Sequence, residues 1–325
     1  MQKVLVTGAT GFIGYEVARI LAEEGLRPRL LVRRMLRGGL LSHLDAELAA
    51  GDLLSPDSLK RAVRGVDTVI HLGARASFEP YRYVKPSIVD GSAALMQAAV
   101  EAGVSCFVYT SSLLVYSGQQ QPIDETTRAN PISDYGRAKI ESEQRLTRMA
   151  QSADMAFCAL RLSHIYGARD LLFEKLRNGR LVTPGLGTNI YAHLHVVDAA
   201  RLLVEAARQR FQGVRAVGDD QPASWREFFA VIKNHYPRFQ QVTVPASLAV
   251  AGAKILQSWS HLRGRQTLET PDGVRSWNLN LPVKPGLLWR DLGITPKYPT
   301  IHEGIPAVLD DCVAYRWIHP VRDHR

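Results

Sequence analysis

A tyrosine and a lysine four residues apart are the first residues in this sequence whose types and spacing suggest chemistry. Tyr135 and Lys139 follow Asp134 in a segment of helical character, so both side chains would share one helix face. A phenol with a pKa of about 10 is a poor acid–base catalyst at neutral pH unless a nearby cation stabilises its phenolate. Lys139 can supply that cation, so the pair predicts proton exchange with a substrate oxygen.

Tyr-x-x-x-Lys spacing also occurs by chance in many helices, so this prediction depends on what surrounds the pair. An apolar run from Cys106 to Thr110 predicts a strand that ends in Ser111 and Ser112. The hydroxyl of Ser112 or Ser111 could hydrogen-bond the oxygen on which Tyr135 acts. The two elements would have to bring these side chains together.

The first fourteen residues predict a strand, a glycine turn and the start of a helix. An apolar run from Val4 to Val6 leads into glycines at 8, 11 and 14, and apolar residues at helical spacing follow. Such glycines allow a tight turn, close approach to a pyrophosphate and packing of helix on strand, with the helix N-terminus facing the phosphates. The predicted dinucleotide contacts here are Thr7, Gly8, Thr10, Gly11, Phe12, Ile13 and Gly14.

A nicotinamide dinucleotide beside Tyr135 would supply the hydride that accompanies the proton, so the catalytic prediction becomes hydride transfer. Five arginines lie between Arg27 and Arg37, and Arg33-Arg34 ends the second predicted strand. An acidic residue here would bind a free ribose 2′-hydroxyl, whereas arginine accommodates a 2′-phosphate. The sequence therefore predicts NADP(H) in preference to NAD(H).

Strands alternate with helices over the first half of the chain, which predicts a Rossmann-type α/β fold. We expect a doubly wound parallel sheet with helices on both faces and a smaller C-terminal α/β substrate lobe. The nucleotide domain would cover 1–167, with 193–210 returning to it, and the substrate lobe would cover 168–192 and 211–325. Further cofactor contacts are predicted where strands end, at Asp52, Leu53, Leu72, Gly73, Ala74 and Thr110. Asp52 either meets the adenine edge or caps a turn.

Composition excludes several classes of function. The chain has 325 residues and a net charge of +9, but its basic cluster has a specific explanation, and no aromatic-interleaved basic surface points to nucleic acid. Its three cysteines lack metal-ligand spacing, so no metal is predicted. No apolar run approaches the roughly 18 to 20 residues of a membrane span. The first residues enter a strand directly, and we expect a cytoplasmic protein.

The sequence resembles the extended short-chain dehydrogenase/reductases, which include the NAD(P)-dependent epimerase/dehydratases. The matching segments are TGATGFIG at 7–14, GDL at 51–53, HLGA at 71–74, TSSLLVY at 110–116, YGRAK at 135–139, LRLSHIYG at 160–167, HVVDAA at 195–200, LGITPKY at 292–298 and EG at 303–304. The resemblance implies a catalytic set of Ser112, Tyr135 and Lys139 and a homodimer formed through two long helices. It also implies cofactor contacts at Tyr135, Lys139, Leu162, Ser163 and Ile165, with Ser163 near the nicotinamide amide.

At two positions the sequence departs from the sugar-nucleotide enzymes of that family. Sugar-nucleotide enzymes usually carry an arginine for the diphosphate where this sequence has Tyr191, and His164 stands where their Asn-Val-Tyr-Gly motif has asparagine. The apolar segment 244–262 resembles one that 3β-hydroxysteroid dehydrogenase-like proteins place near their substrate pocket. It could line a pocket, touch a membrane surface or pack in the core. Segments 183–187 and 282–286 are expected to be loops.

These features favour an NADP(H)-dependent ketone reductase or alcohol dehydrogenase acting on a largely apolar small molecule. One alternative is a sugar-nucleotide epimerase or dehydratase. A non-catalytic redox-sensing protein is a further alternative, although it would have no use for Tyr135 and Lys139.

Overall fold

The structure is a computed structural model that describes residues 1–176, 180–262 and 269–315, without the side chains of residues 36, 37, 176, 261 and 262. Its centre is a parallel seven-stranded sheet in the order β11-β6-β5-β4-β1-β2-β3. The strands of this sheet are β1 Val4–Thr7, β2 Arg29–Val32, β3 Glu47–Ala50, β4 Thr68–His71, β5 Cys106–Ser112, β6 Ala156–Leu162 and β11 Gly213–Val217. The predicted doubly wound α/β fold is confirmed.

Alternate residues of the central strands face opposite helical layers. Val4 and Val6 pack towards one layer, whereas Leu5 packs towards the other. Because both faces are covered, the whole of β1 is buried, as its unbroken apolar run requires. One layer is formed by α1 Phe12–Glu23 and α8 Val196–Arg208, and the other by α3 Pro56–Ala62, α5 Gly91–Glu101 and α6 Asp134–Ser152.

The second lobe has its own aromatic core, in which Phe173, Phe228, Phe229 and Ile305 are fully or almost fully buried. Three small sheets pair β7 with β10, β8 with β13 and β9 with β12. Their strands are β7 His164–Tyr166, β8 Arg180–Pro184, β9 Ile190–Tyr191, β10 His193–His195, β12 Ala223–Ser224 and β13 Gln240–Val244. The other helices are α2 Met35–Gly38, α4 Tyr81–Lys85, α7 Leu171–Leu176, α9 Trp225–His235, α10 Ala246–Leu262, α11 Pro271–Trp277, α12 Leu287–Leu292 and α13 Ile301–Ala314.

The boundary predicted at residue 210 does not match the architecture. Strand β11 joins the central sheet beside β6, and Leu288 and Trp289 of α12 pack into the same core as α1 and α8. The Trp289 indole N–H also donates to the Gly218 carbonyl over 3.2 Å. Parts of 211–325 therefore complete the nucleotide half, because the β6 edge needs a partner strand.

Two loop predictions were wrong in part. Thr183 and Pro184 belong to β8, where they pair with Thr243 and Val244 of a strand distant in sequence. Val283 is buried and bridges Ile123 instead of lying in an open loop. Helix α4, a π-helical turn at Pro86–Asp90 and α5 follow one another directly along the chain.

The apolar segment 244–262 does not pack in the core. Within α10 only Ala253 is fully buried among the side chains described, whereas Leu248 and Ile255 are exposed. No helix in the described ranges is long and apolar enough to cross a membrane. Cys106, Cys158 and Cys312 are buried free thiols, and no potential metal-binding cluster occurs in this part of the chain.

Candidate active site

The glycine turn after β1 has the shape that a pyrophosphate site requires. Gly8 has a φ of +73°, and a Cβ there would meet the backbone of Gly73 at 2.9 Å. A Cβ on Gly14 would overlap the Gly8 carbonyl oxygen, so α1 can pack this close only without a side chain. The N-cap residue of α1 is Gly11, which has no side chain to bond the first turn. The N–H groups of that turn therefore remain available to phosphates.

A buried histidine joins this turn to β4. The Thr7 hydroxyl accepts the Gly73 N–H over 2.9 Å and lies 2.6 Å from His71 Nδ1, while His71 Nε2 lies 2.8 Å from the Ser92 hydroxyl. Burial lowers the pKa of His71 to about 3, and the charge of Lys139 adds to this effect. His71 is therefore neutral and holds the ends of two strands together.

The arginine cluster predicted around the second strand divides into two groups. Arg27 pairs with Asp45, and Arg29 is buried against Glu47, so both have structural partners. Arg33 and Arg34 are exposed directly after β2, on the edge where nucleotide ribose is read in this fold. The side chain of Arg37 lies outside the described residues.

Asp52 and Leu53, which the sequence predicts as cofactor contacts, lie shortly after the end of β3. One Asp52 carboxylate oxygen accepts the Leu54 N–H over 2.9 Å, which is the turn-capping role. Leu53 is buried, and a Cβ on Gly73 would meet it at 3.3 Å. Leu72, Gly73 and Ala74 are half-buried at the end of β4.

The predicted catalytic side chains come together where β5 ends and α6 begins. Ser112 is the last residue of β5, and its hydroxyl lies close enough to the Tyr135 phenol to lower the pKa of that phenol. Lys139 lies on the next turn of α6, with Nζ 5.8 Å from the centre of the Tyr135 ring. The ammonium group also donates to the Thr110 carbonyl over 2.6 Å. Ser111, the other candidate, is buried with no hydrogen-bond partner in the described structure.

Gly136 makes this approach possible, and the sequence reasoning did not single it out. A Cβ there would overlap the Leu114 carbonyl oxygen in the turn that follows Ser112. The Ser133 hydroxyl caps α6 by accepting the Gly136 N–H over 3.1 Å. The start of α6 therefore packs directly on the backbone after β5, which brings Tyr135 to Ser112.

Burial dominates the electrostatics of the pair. It raises the pKa of Tyr135 to about 12, and the nearby Ser112 hydroxyl opposes that rise. It also lowers the pKa of Lys139 from 10.5 to about 8, against the attraction of the Glu143 carboxylate. Tyr135 is thus protonated at neutral pH, beside a lysine that is mostly charged at pH 7 and loses its proton near pH 8.

Glu143 belongs to a buried charge network that the sequence reasoning missed. Arg161 of β6 donates to both Glu143 oxygens, and it also donates to the Tyr116 hydroxyl over 2.7 Å. Glu143 follows Lys139 by one helical turn, and Arg161 lies in the LRLSHIYG segment. A glutamate at this spacing on the catalytic helix was the available signal.

The predicted nicotinamide end of the site lies between β6 and β7. Leu162 is buried, Ile165 is half-buried, and the Ser163 hydroxyl is a buried polar group without a partner in the described structure. An amide of the cofactor would satisfy that hydroxyl. The glycine cradle and this orphaned hydroxyl both fit a nicotinamide dinucleotide.

Two aromatic side chains lie near Tyr135, and one of them leads into a larger aromatic group. Phe78 lies 6.0 Å from the Tyr135 ring centre, and Tyr191 is buried close enough for the two phenols to interact electrostatically. The Tyr191 ring lies 5.6 Å from that of Trp225, which stacks on Trp277 at 3.9 Å.

The histidine that replaces the family asparagine also packs into this aromatic group. The His164 and Trp225 ring centres are 4.6 Å apart, and His164 Nδ1 lies 3.0 Å from Nδ1 of buried His193. Burial holds the pKa of His193 well below its usual value. The altered motif therefore contributes to the packing between the site and the second lobe.

A family comparison agrees with this geometry. The model of the NAD dependent epimerase/dehydratase family matches residues 4–217. The chain belongs to this family. It is 32% identical to the 3 beta-hydroxysteroid dehydrogenase/Delta 5-->4-isomerase of Mycobacterium tuberculosis, with 97% of this chain and 90% of the relative covered. It is also 30% identical to the ceramide reductase of Caulobacter vibrioides, over 80% of this chain and 78% of the relative.

A solved structure of MoeE5 in complex with UDP-glucose and NAD has the same fold, with a TM-score of 0.79, 23% identity and coverage of 97% of this chain and 99% of that one. The resemblance to extended short-chain dehydrogenase/reductases is confirmed. This family member is an NAD(P)-dependent oxidoreductase. Its cofactor is a nicotinamide dinucleotide.

Proposed function

We propose that this protein is an NADP(H)-dependent ketone reductase, or alcohol dehydrogenase in reverse, whose substrate is largely apolar. The observation that carries the proposal is Tyr191, buried beside Tyr135 where sugar-nucleotide enzymes usually place an arginine. A phenol cannot neutralise a diphosphate, whereas its ring extends an apolar wall.

The wall around Tyr191 supports the same substrate class. Phe78 and Tyr191 border the catalytic phenol, and Tyr191 continues into Trp225 and then Trp277 of α11. Pockets for apolar ligands combine such surfaces with a few placed polar groups. Two relatives carry names that refer to ceramide and to 3-beta-hydroxysteroids, both lipids with a hydroxyl or carbonyl centre.

Ser112, Tyr135 and Lys139 divide the chemistry in this proposal. The dinucleotide supplies or accepts the hydride at the substrate carbon. Ser112 hydrogen-bonds the substrate oxygen, and Tyr135 gives that oxygen its proton during reduction or takes it during oxidation. The charge on Lys139 favours the Tyr135 phenolate by Coulomb attraction and so lowers the cost of losing the proton.

Arg33 and Arg34 support the preference for NADP(H). Both are exposed at the end of β2, whereas Arg27 and Arg29 already have carboxylate partners. A guanidinium group suits the planar, multiply hydrogen-bonded recognition of a phosphate. We also expect the protein to be cytoplasmic and to form a homodimer through two long helices. Light scattering would detect the dimer.

Turnover of NADPH with a panel of carbonyl compounds tests the catalytic proposal. The panel contains steroid-like ketones, β-keto acyl compounds, aromatic ketones and sugar nucleotides, and NADPH absorbance reports the rate. We expect an apolar ketone to be reduced, with activity lost in Tyr135→Phe and kept in Tyr315→Phe, an exposed tyrosine at the end of α13. Full activity in Tyr135→Phe would overturn the mechanism.

Two results would favour the alternatives. Cofactor that co-purifies with the protein, together with thermal stabilisation by UDP- or dTDP-sugars, would indicate an epimerase or dehydratase. Tight NADPH binding without turnover of any carbonyl would indicate a redox-sensing protein.

A further inference from the structure

The helix α10 carries its large apolar side chains on the solvent side. Leu248 is 63% exposed, Ile255 is 71% exposed and Leu256 is 43% exposed. At 100° per residue, Leu248 and Ile255 lie on the same line along the helix, and Leu256 lies beside them. Trp259, one turn after Ile255, is half-exposed on that line.

The opposite side of α10 is built from small residues. Ala253 is its one fully buried side chain among those described, and Ala246 and Val250 occupy neighbouring inward positions. A surface helix of a globular protein normally has the reverse arrangement, with large apolar residues inward and polar residues outward. In α10 the large apolar residues instead face outward and small ones face inward, which indicates an apolar environment outside the protein.

A second exposed leucine lies near the start of this helix. The Gly185 N–H donates to the Val244 carbonyl over 2.8 Å, which places the turn after β8 next to the residues that precede α10. Leu186, which follows, is 71% exposed. The exposed apolar surface is thus larger than α10 alone.

The charge of the chain near α10 distinguishes between two partners for this surface, a second copy of the protein and a lipid bilayer. Residues 228–262, which lead into α10 and form it, contain no Asp or Glu and three Lys or Arg, in a chain whose net charge is +9. Lys254 is exposed on α10 itself. A second copy of the chain would bring the same basic segments together, whereas an anionic lipid surface would attract them.

We propose that α10 lies in the interface of an anionic phospholipid bilayer, with Leu248, Ile255 and Leu256 inserted among the upper acyl chains. An amphipathic helix of this kind lies parallel to the membrane plane, and a tryptophan near its apolar face suits the headgroup region. Lys254 adds attraction to anionic headgroups. The proposal concerns where the enzyme is bound and stands independently of its substrate.

Sedimentation of the full-length protein with phospholipid vesicles tests the proposal. We expect it to pellet with vesicles that contain phosphatidylglycerol, to pellet less with phosphatidylcholine alone, and to be released as salt is added. The double variant Leu248→Gln/Ile255→Gln should lower the partition coefficient at least about tenfold, because each side chain loses favourable transfer from water. Gln is a good helix former, so α10 should remain folded.

The matched control is Met35→Gln/Leu40→Gln, which removes two residues of similar exposure, 52% and 56%, from the distant nucleotide half. It should bind vesicles as the unaltered protein does, and circular dichroism should show both variants folded. The proposal is wrong if the unaltered protein stays in solution with both vesicle types, or if both double variants lose binding equally. Loss of a dimer in Leu248→Gln/Ile255→Gln, without vesicle binding by the unaltered protein, would identify the surface as a subunit interface instead.

Discussion

Arg161 of β6 donates to both carboxylate oxygens of Glu143 over 2.7 to 3.2 Å. Glu143 lies on α6, one helical turn beyond Lys139. Glu143 is almost fully buried, so its charge acts on Lys139 through a poorly screening interior. The carboxylate opposes the fall in the Lys139 pKa that burial causes. The Arg161–Glu143 pair therefore influences the charge of Lys139, the residue that stabilises the Tyr135 phenolate.

Glu143→Gln should change the pH dependence of the reaction. Without the carboxylate, the pKa of Lys139 falls below about 8, and a neutral lysine stabilises the Tyr135 phenolate less well. In the alcohol-oxidising direction, we expect the rising limb of kcat against pH to move up by about one unit, with about tenfold less activity at neutral pH. Glu141→Gln, an exposed site on the same helix, should leave the profile unchanged.

The same substitution leaves the half-buried Arg161 without its carboxylate partner and is expected to lower stability. A double variant, Glu143→Gln/Arg161→Gln, should recover stability while keeping the altered profile. A profile for Glu143→Gln that superimposes on the original would show that the network has only a structural role.

Lys139→Met should make the protein inactive but more stable at neutral pH. The folded-state pKa of Lys139 is about 8, below its usual 10.5. Below pH 8 the lysine is charged in both states, and burying that charge has its full cost. Between pH 8 and 10.5 the unfolded chain binds the proton more strongly, so raising the pH stabilises the unaltered protein.

Urea unfolding of Lys139→Met should give a gain of about 2 kcal/mol at pH 7, after allowing for the lost hydrogen bond to Thr110. That gain should shrink by about 1 kcal/mol at pH 9. Lys60→Met, at an exposed ion pair with Glu101, should change stability little at either pH. A difference that does not vary with pH would contradict the argument.

Gly14→Ala should weaken cofactor binding. The added Cβ overlaps the Gly8 carbonyl oxygen, so the phosphate turn must move away from α1. Overpacking costs about 1–3 kcal/mol, and we expect NADPH affinity to fall at least about tenfold in a fluorescence titration. Gly39→Ala, which meets nothing within 4 Å, should bind NADPH normally. Unchanged affinity in Gly14→Ala would exclude this turn as the phosphate cradle.

Arg33→Asp should reverse the proposed cofactor preference. Losing a charge-assisted hydrogen bond to phosphate costs about 1.5–3 kcal/mol, so the Kd for NADPH should rise at least about tenfold while that for NADH changes little. Arg61→Asp makes the same charge change on the outer surface of α3 and should affect neither. Equal binding of NADH and NADPH by the unaltered protein would refute the preference.

Local sequence patterns predicted the elements that carry the candidate site. The glycine turn, the strand that ends at Ser112 and the helix that carries Tyr135 each depend on neighbouring residues, so spacing was sufficient to find them. Gly136 and the Glu143–Arg161 pair were missed because their roles depend on elements that meet only in three dimensions. The exposure of Leu248 and Ile255 was also beyond prediction, since composition gives an apolar helix but not the side that faces solvent.

The position of β11 in the central sheet has a consequence for how the chain is made. Translation produces β6 well before β11, and the second lobe begins to emerge between them. Until residue 217 has left the ribosome, the β6 edge has no partner strand. Apolar residues of β1 and β5 stay uncovered on one face until α8 has been made. Nascent chains that stall before this point expose a sheet edge and an apolar face, the features that recruit chaperones and promote aggregation.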